Sequence, residues 1–124
     1  MLDKYKPGDD VGPLEFWPFD APASEYRVTK GDPKTYGRID AGGSGHTTRY
    51  GIWRCTIGAF ECIEQGDELM MVLSGSCKLI QHDTGLTRDL GPGDSLFVRD
   101  GSRVTWDVSE DITKVFFGHK PAGY

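Results

Sequence analysis

The chain has 124 residues, 27% of them charged, and a net charge of −5 carried by both signs scattered along its length, enough for one domain with its own core. That balance, without a basic run, excludes a phosphate-tracking surface, so no nucleic-acid partner is expected. The longest apolar run, Leu69 to Leu73, is far short of the roughly 20 residues that span a bilayer, and the N-terminus lacks an apolar signal segment, so a soluble, cytoplasmic protein with no membrane partner is expected.

Residues 1–33 hold five of the seven prolines and little sustained periodicity. They read as an N-terminal arm whose aromatics, Phe16, Trp17 and Phe19, pack on the body or on a partner subunit. Residues 34–124 read as the single domain. The glycine-rich stretch Gly42 to Gly45 reads as a flexible loop before the body; it lacks the GK[ST] ending and following helix of a phosphate loop. Strands are predicted over 51–57, 59–64, 69–74, 77–82, 86–90, 95–98, 103–108 and 113–118, about ten residues apart. Turns are expected at Gln65-Gly66-Asp67, Ser74-Gly75-Ser76, Asp83-Thr84-Gly85, Gly91-Pro92-Gly93-Asp94 and Arg99-Asp100-Gly101. No helical stripe appears, and the spacing is that of an all-β sandwich or barrel. The run from Leu69 to Leu73 is apolar on both faces and predicts a strand covered on both sides, one of them by the second sheet, the arm or a partner subunit.

Three cysteines, Cys55, Cys62 and Cys77, lie inside strand-like segments rather than in a C-x-x-C pair, and their odd number favours reduced thiols. Cys55 and Cys77 read as small core hydrophobes. His82 and His119 read as solvent-facing beside turns, and His46, after the glycine loop, as a solvated histidine unless it swings over a barrel mouth.

The stretch from Phe60 to Gly75 resembles the first half of the cupin signature, with Glu68 at the glutamate position, seven residues before Gly75. Cys62 and Glu64 then stand at the two histidine positions and Thr56 at the first glycine. In the second half Gly93 and Gly101 match, while Arg99, Val104 and Val108 stand at the proline, histidine and asparagine positions. A closer resemblance, over about residues 28 to 118, is to the small single-domain cupins of the Cupin_3 type, whose domain is shared by ureidoglycine aminohydrolases. It is carried by Thr29-Lys30-Gly31-Asp32-Pro33, Gly51-Ile52-Trp53-Arg54-Cys55-Thr56, Asp67-Glu68-Leu69, Val72-Leu73-Ser74-Gly75, Gly91-Pro92-Gly93-Asp94 and Thr105-Trp106-Asp107-Val108. The resemblance implies a double-stranded β-helix, the RmlC-like jelly-roll barrel, usually assembled as a homodimer. It implies little about reaction, because one such barrel hosts many functions.

In the matched register alternate residues turn inward. Trp53, Phe60, Cys62, Glu64, Glu68, Met70, Val104 and Trp106 are the expected pocket wall, an apolar and aromatic cavity holding two carboxylates and a thiol. Cupins usually hold a transition metal on three histidines and a glutamate. Here Cys62, Glu64 and Glu68 supply one sulfur and two oxygens and Val104 supplies nothing, so no metal ligands are assigned, and a divalent metal is a minor expectation. Glu64 and Glu68 are the candidate catalytic residues, since neighbouring buried carboxylates cannot both ionise cheaply. The alternative is structural pairing with Arg54, Lys78 or Arg103. The expectation is therefore a small-molecule-binding cupin of uncharacterised function. The alternatives are a metal-dependent or acid–base lyase, isomerase or hydrolase, and a non-catalytic dimeric accessory protein.

Overall fold

A computed structural model describes residues 2–124 of the protein. Among the described residues there are nine strands: β1 Glu15–Phe16, β2 Arg27–Gly31, β3 Thr35–Gly42, β4 Thr48–Cys55, β5 Gly58–Ile63, β6 Asp67–Gln81, β7 Thr87–Leu90, β8 Ser95–Val98 and β9 Arg103–His119. All pairings are antiparallel. A three-residue 3-10 turn, Pro22–Ser24, is the only helical element among the described residues.

The sheet curls on itself because β6 and β9 are long enough to serve both halves. Residues 112–119 of β9 pair with β4, and residues 103–108 pair with β5. Residues 68–71 of β6 pair with β8, and residues 77–80 pair with β7. One half of the jelly roll therefore runs β1-β3-β4-β9-β6-β8 and the other β2-β5-β9-β6-β7, with the core between them.

The predicted strands 69–74 and 77–82 are one strand, as are 103–108 and 113–118. The Ser74-Gly75-Ser76 turn is instead a bulge, with the β6–β9 register shifting on both sides of Ser74 and again after Ser76. Gly75 sits at φ +83°, and a Cβ there would lie 2.0 Å from the Asp111 carbonyl oxygen. A side chain would meet both backbone strain and a clash, so the bend requires glycine. The glycine stretch also has a different place from that expected: Gly42 ends β3, and Gly43 N–H donates to the Thr48 carbonyl at 2.9 Å, making this the β3–β4 hairpin turn.

The N-terminal segment packs along the barrel. Gly8 N–H donates to the Leu73 carbonyl at 2.9 Å, and Arg38 donates to the Val11 carbonyl at 2.6 Å. Leu73 and Ile52 are buried. Trp17 lies flat on Gly37, where a Cβ would meet its ring at 2.0 Å, and the Thr35 hydroxyl donates to the Trp17 carbonyl. Within the single chain, Leu73 is covered as expected, while Leu69 is 54% exposed.

Gly75→Ala is expected to lower unfolding free energy by about 2 kcal/mol or more, read from urea denaturation. A change within about 0.5 kcal/mol, the range of an unremarkable surface substitution, contradicts the strained bend.

Candidate functional site

Between the two halves lies a cavity of about 120 Å³. Its wall includes Trp53, Phe60, Cys62, Glu64, Glu68 and Trp106, six of the eight residues placed there by register. Met70 and Val104 are buried but elsewhere: Met70 lies in the core, and Val104 faces a second cavity at the β7–β8 edge. The first cavity is completed by residues outside that expected set. Trp17, Pro18, Phe19 and Tyr26 close it from the N-terminal segment, and Thr35, Arg49, Lys114 and Phe116 come from β3, β4 and β9.

Lys114 was legible in principle. It lies between Ile112 and Phe116 on the buried face of β9, a position where a lysine must find a partner. Its Nζ reaches Glu68 Oε2 at 2.7 Å, with the two side chains only 6% and 7% exposed. It also sits 4.5 Å from the ring centres of both Trp53 and Trp106, which are 5.1 Å apart. The ammonium is thus held by one carboxylate and two aromatic faces, a desolvated cation–π arrangement. The structural ion pair of Glu68 therefore has a cation other than the expected Arg54, Lys78 or Arg103. Arg54 pairs with Asp111 and Arg103 with Glu25.

Trp106 connects this pair to the second carboxyl. Its indole N–H donates to Glu64 Oε1 at 2.9 Å, and the Cys62 thiol approaches the same oxygen at 3.6 Å. Burial, and next the nearby Glu68 charge, raises the Glu64 carboxyl above the ordinary value. Burial and the Glu64 charge likewise push the Cys62 thiol up, which leaves it an inert, protonated core group. Tyr26 is raised to about 12, mainly by desolvation.

Arg49 differs from these groups. Its guanidinium stacks on Tyr124 at 4.2 Å and lies 5.7 Å from the Phe116 ring. It forms none of the ion pairs among the described residues, and its buried Nε lacks a hydrogen-bond partner. The histidines lie outside the cavity: His46 and His119 are exposed, and His82 meets Thr105 Oγ1 at 2.7 Å on the surface.

The donor set does not fit a cupin metal. Glu68 is engaged by Lys114, Glu64 by Trp106, and Val104 has no donor atom. Among the described residues no three His, Cys, Asp or Glu side chains converge as ligands.

Residues 42–116 match the model of the EutQ-like cupin domain, and the chain belongs to that family. The EutQ protein of Clostridium difficile has a similar structure, with 15% identity and a TM-score of 0.61 over 76% of this chain and 80% of that one. A cupin-like protein of Thermotoga maritima aligns with a TM-score of 0.66 at 10% identity, over 92% and 84% of the two chains. A DUF861-family protein of unknown function from Pseudomonas syringae aligns at 21% identity and a TM-score of 0.66, over 88% of this chain and 45% of that one. At these identities the likeness is one of fold. No curated protein matches the chain.

Lys114→Met strands Glu68 in the core and is expected to cost about 3–5 kcal/mol of stability. In a double-mutant cycle with Glu68→Gln, the double variant should lose clearly less than the summed single losses; simple additivity would show that the two groups are not coupled.

Glu64 sets a pH dependence of opposite sense to that of an ordinary salt-bridged carboxylate. A carboxyl raised in the folded state contributes its stability below the ordinary value of 4.5 and loses it as pH rises through the folded value. Glutamine mimics the protonated form. Glu64→Gln should therefore match the native protein near pH 4 and gain on it as pH rises toward 8, in denaturation midpoints taken across that range. A gain that shrinks with pH contradicts the assignment.

Proposed function

We propose that the protein is a small-molecule-binding cupin whose barrel takes a small metabolite carrying one anionic group, without a metal. Arg49 carries the reading. It is a cavity-wall arginine with a buried, unpartnered Nε, in a cavity where Lys114 is answered by Glu68 and no carboxylate answers Arg49. A buried donor without an acceptor is costly, and a bound carboxylate removes that cost. The cavity has room for about four water-sized groups, which sets the scale of the ligand. Trp53, Phe60 and Trp106 supply apolar walls, and Tyr26 and Glu64 supply groups for orientation.

The protein is proposed to work as a cytoplasmic homodimer. Support for the dimer comes from the outer face of the sheet, where Phe97, Leu69 and Phe117 stand directly opposite one another across β8, β6 and β9 and are 52%, 54% and 49% exposed. Such an apolar row is an interaction surface in a soluble protein. Light scattering at micromolar concentration should give twice the chain mass, and Leu69→Lys should give the chain mass.

Two- and three-carbon monocarboxylates, screened by thermal shift against their amides, test the ligand class. At 100 times its dissociation constant a binding acid stabilises by about 2.7 kcal/mol. The acid should act, the amide should be silent, and Arg49→Gln should abolish the shift. Equal shifts from acid and amide, or none from any acid, contradict the proposal.

A further inference from the structure

A second cavity, of about 350 Å³, opens on the side of the barrel away from the β1 and β2 edges. Strands β7 and β8 each pair only with β6, so each ends a sheet half, and the space between these edges is an open seam. Its wall includes Leu79, Leu96, Val98 and Val104, together with Arg88, Arg99 and the exposed Phe97. Val98, Leu79 and Val104 are buried, so the floor is continuous with the core.

The two arginines set this seam apart from an ordinary exposed edge. The chain has 19 acidic residues and seven arginines. Arg27, Arg38, Arg54 and Arg103 each pair with a carboxylate. Of the other three, Arg49 lies in the barrel cavity, and both Arg88 and Arg99 lie on the seam, with no ion pair among the described residues. Register places Arg88 opposite Leu79, two residues from buried Leu90, which stands opposite Cys77; it therefore belongs to the inward face of β7. In an acidic protein, two arginines without carboxylate partners beside an apolar floor match an amphipathic anion: the fork geometry suits a carboxylate, and the floor suits a hydrocarbon chain.

We propose that the β7–β8 seam is a second binding site, distinct from the barrel cavity, for a medium-chain carboxylate whose head meets Arg88 and Arg99 and whose tail lies on Leu79, Leu96, Val98 and Val104. The volume corresponds to about a dozen water-sized groups, the size of an eight- to ten-carbon acid.

Calorimetric titration of the full chain with octanoate, alongside octylammonium, tests this below the micellar range. Octanoate should bind saturably at one site per chain, and octylammonium should not. The double variant Arg88→Gln/Arg99→Gln should weaken octanoate by about tenfold or more, since two charge-assisted contacts are lost at a partly solvated rim. Leu96→Trp, which fills the seam from its half-buried edge, should weaken it comparably while circular dichroism stays unchanged. Arg49→Gln should leave octanoate affinity within about twofold. Non-saturable uptake, equal binding of octylammonium, or loss on Arg49→Gln in place of the seam variants would overturn the proposal. Arg99 also lies 5.7 Å from the ring of Phe97 in the dimer row, so oligomeric state is read on Arg88→Gln alone: a change from dimer to monomer there would also overturn the proposal, because the seam would then be an interface between copies. Failure of the short-acid screen with octanoate binding intact would reject only the barrel reading.

Discussion

Burial of the Lys114–Glu68 pair is the constraint around which the barrel interior is arranged. Removing two charges from water costs several kcal/mol per ion and is offset only when geometry and further contacts are good. Here the ammonium has a carboxylate oxygen at 2.7 Å and two indole faces at 4.5 Å. Those contacts draw on both halves of the jelly roll. Trp53 lies directly opposite Lys114 across β4 and β9, whereas Trp106 belongs to the half paired with β5. Trp106 then passes the arrangement to Glu64, whose own neighbour is Cys62. One polar chain thus runs from β6 through β9 to β5, satisfying buried groups that an apolar barrel would leave unpaired.

This chain occupies the place where the general cupin signature has its ligands. Glu68 keeps the motif's position, but its partner is an ammonium. A cation fixed by covalent attachment supplies charge without an exchangeable site, and it leaves Arg49 as the unanswered positive group on the wall. The same fold can thereby serve a different chemistry, since function resides in the side chains mounted on the barrel rather than in the barrel. The N-terminal segment contributes as directly as the strands: Phe19 packs at a tilt against Phe60 at 4.6 Å and Tyr26 at 4.8 Å between ring centres, closing the cavity.

Much of this architecture was legible in the sequence because turn chemistry and alternation are local signals. Parity placed Phe60, Cys62, Glu64 and Trp106 on inward faces, and each lies on the cavity wall. The bends of β6 and β9 were not legible, because Ser74-Gly75-Ser76 has turn composition whether the chain reverses or merely bulges; the Gly75–Asp111 approach that decides the matter is tertiary. Strand β3 was hidden by the glycines that follow it, which read as a loop before the body rather than as a hairpin turn within it. Lys114 had a signal in its place between Ile112 and Phe116, but its pairing with Glu68 depends on the diagonal offset between β6 and β9. Trp17 and Phe19 were legible as aromatics that pack on the body, but their place on the cavity wall, like that of Tyr26, was not, since irregular backbone carries them there.

The most direct test of a barrel organised by an ammonium–carboxylate pair is the metal content of untagged, chelator-free protein, measured by inorganic mass spectrometry. Less than a tenth of an equivalent (~0.1) of any transition metal is expected, since the acidic and thiol donors of the described cavity wall are already engaged. One equivalent of a transition metal per chain, lost in Glu68→Gln protein, would contradict it and put a metal where Lys114 now stands.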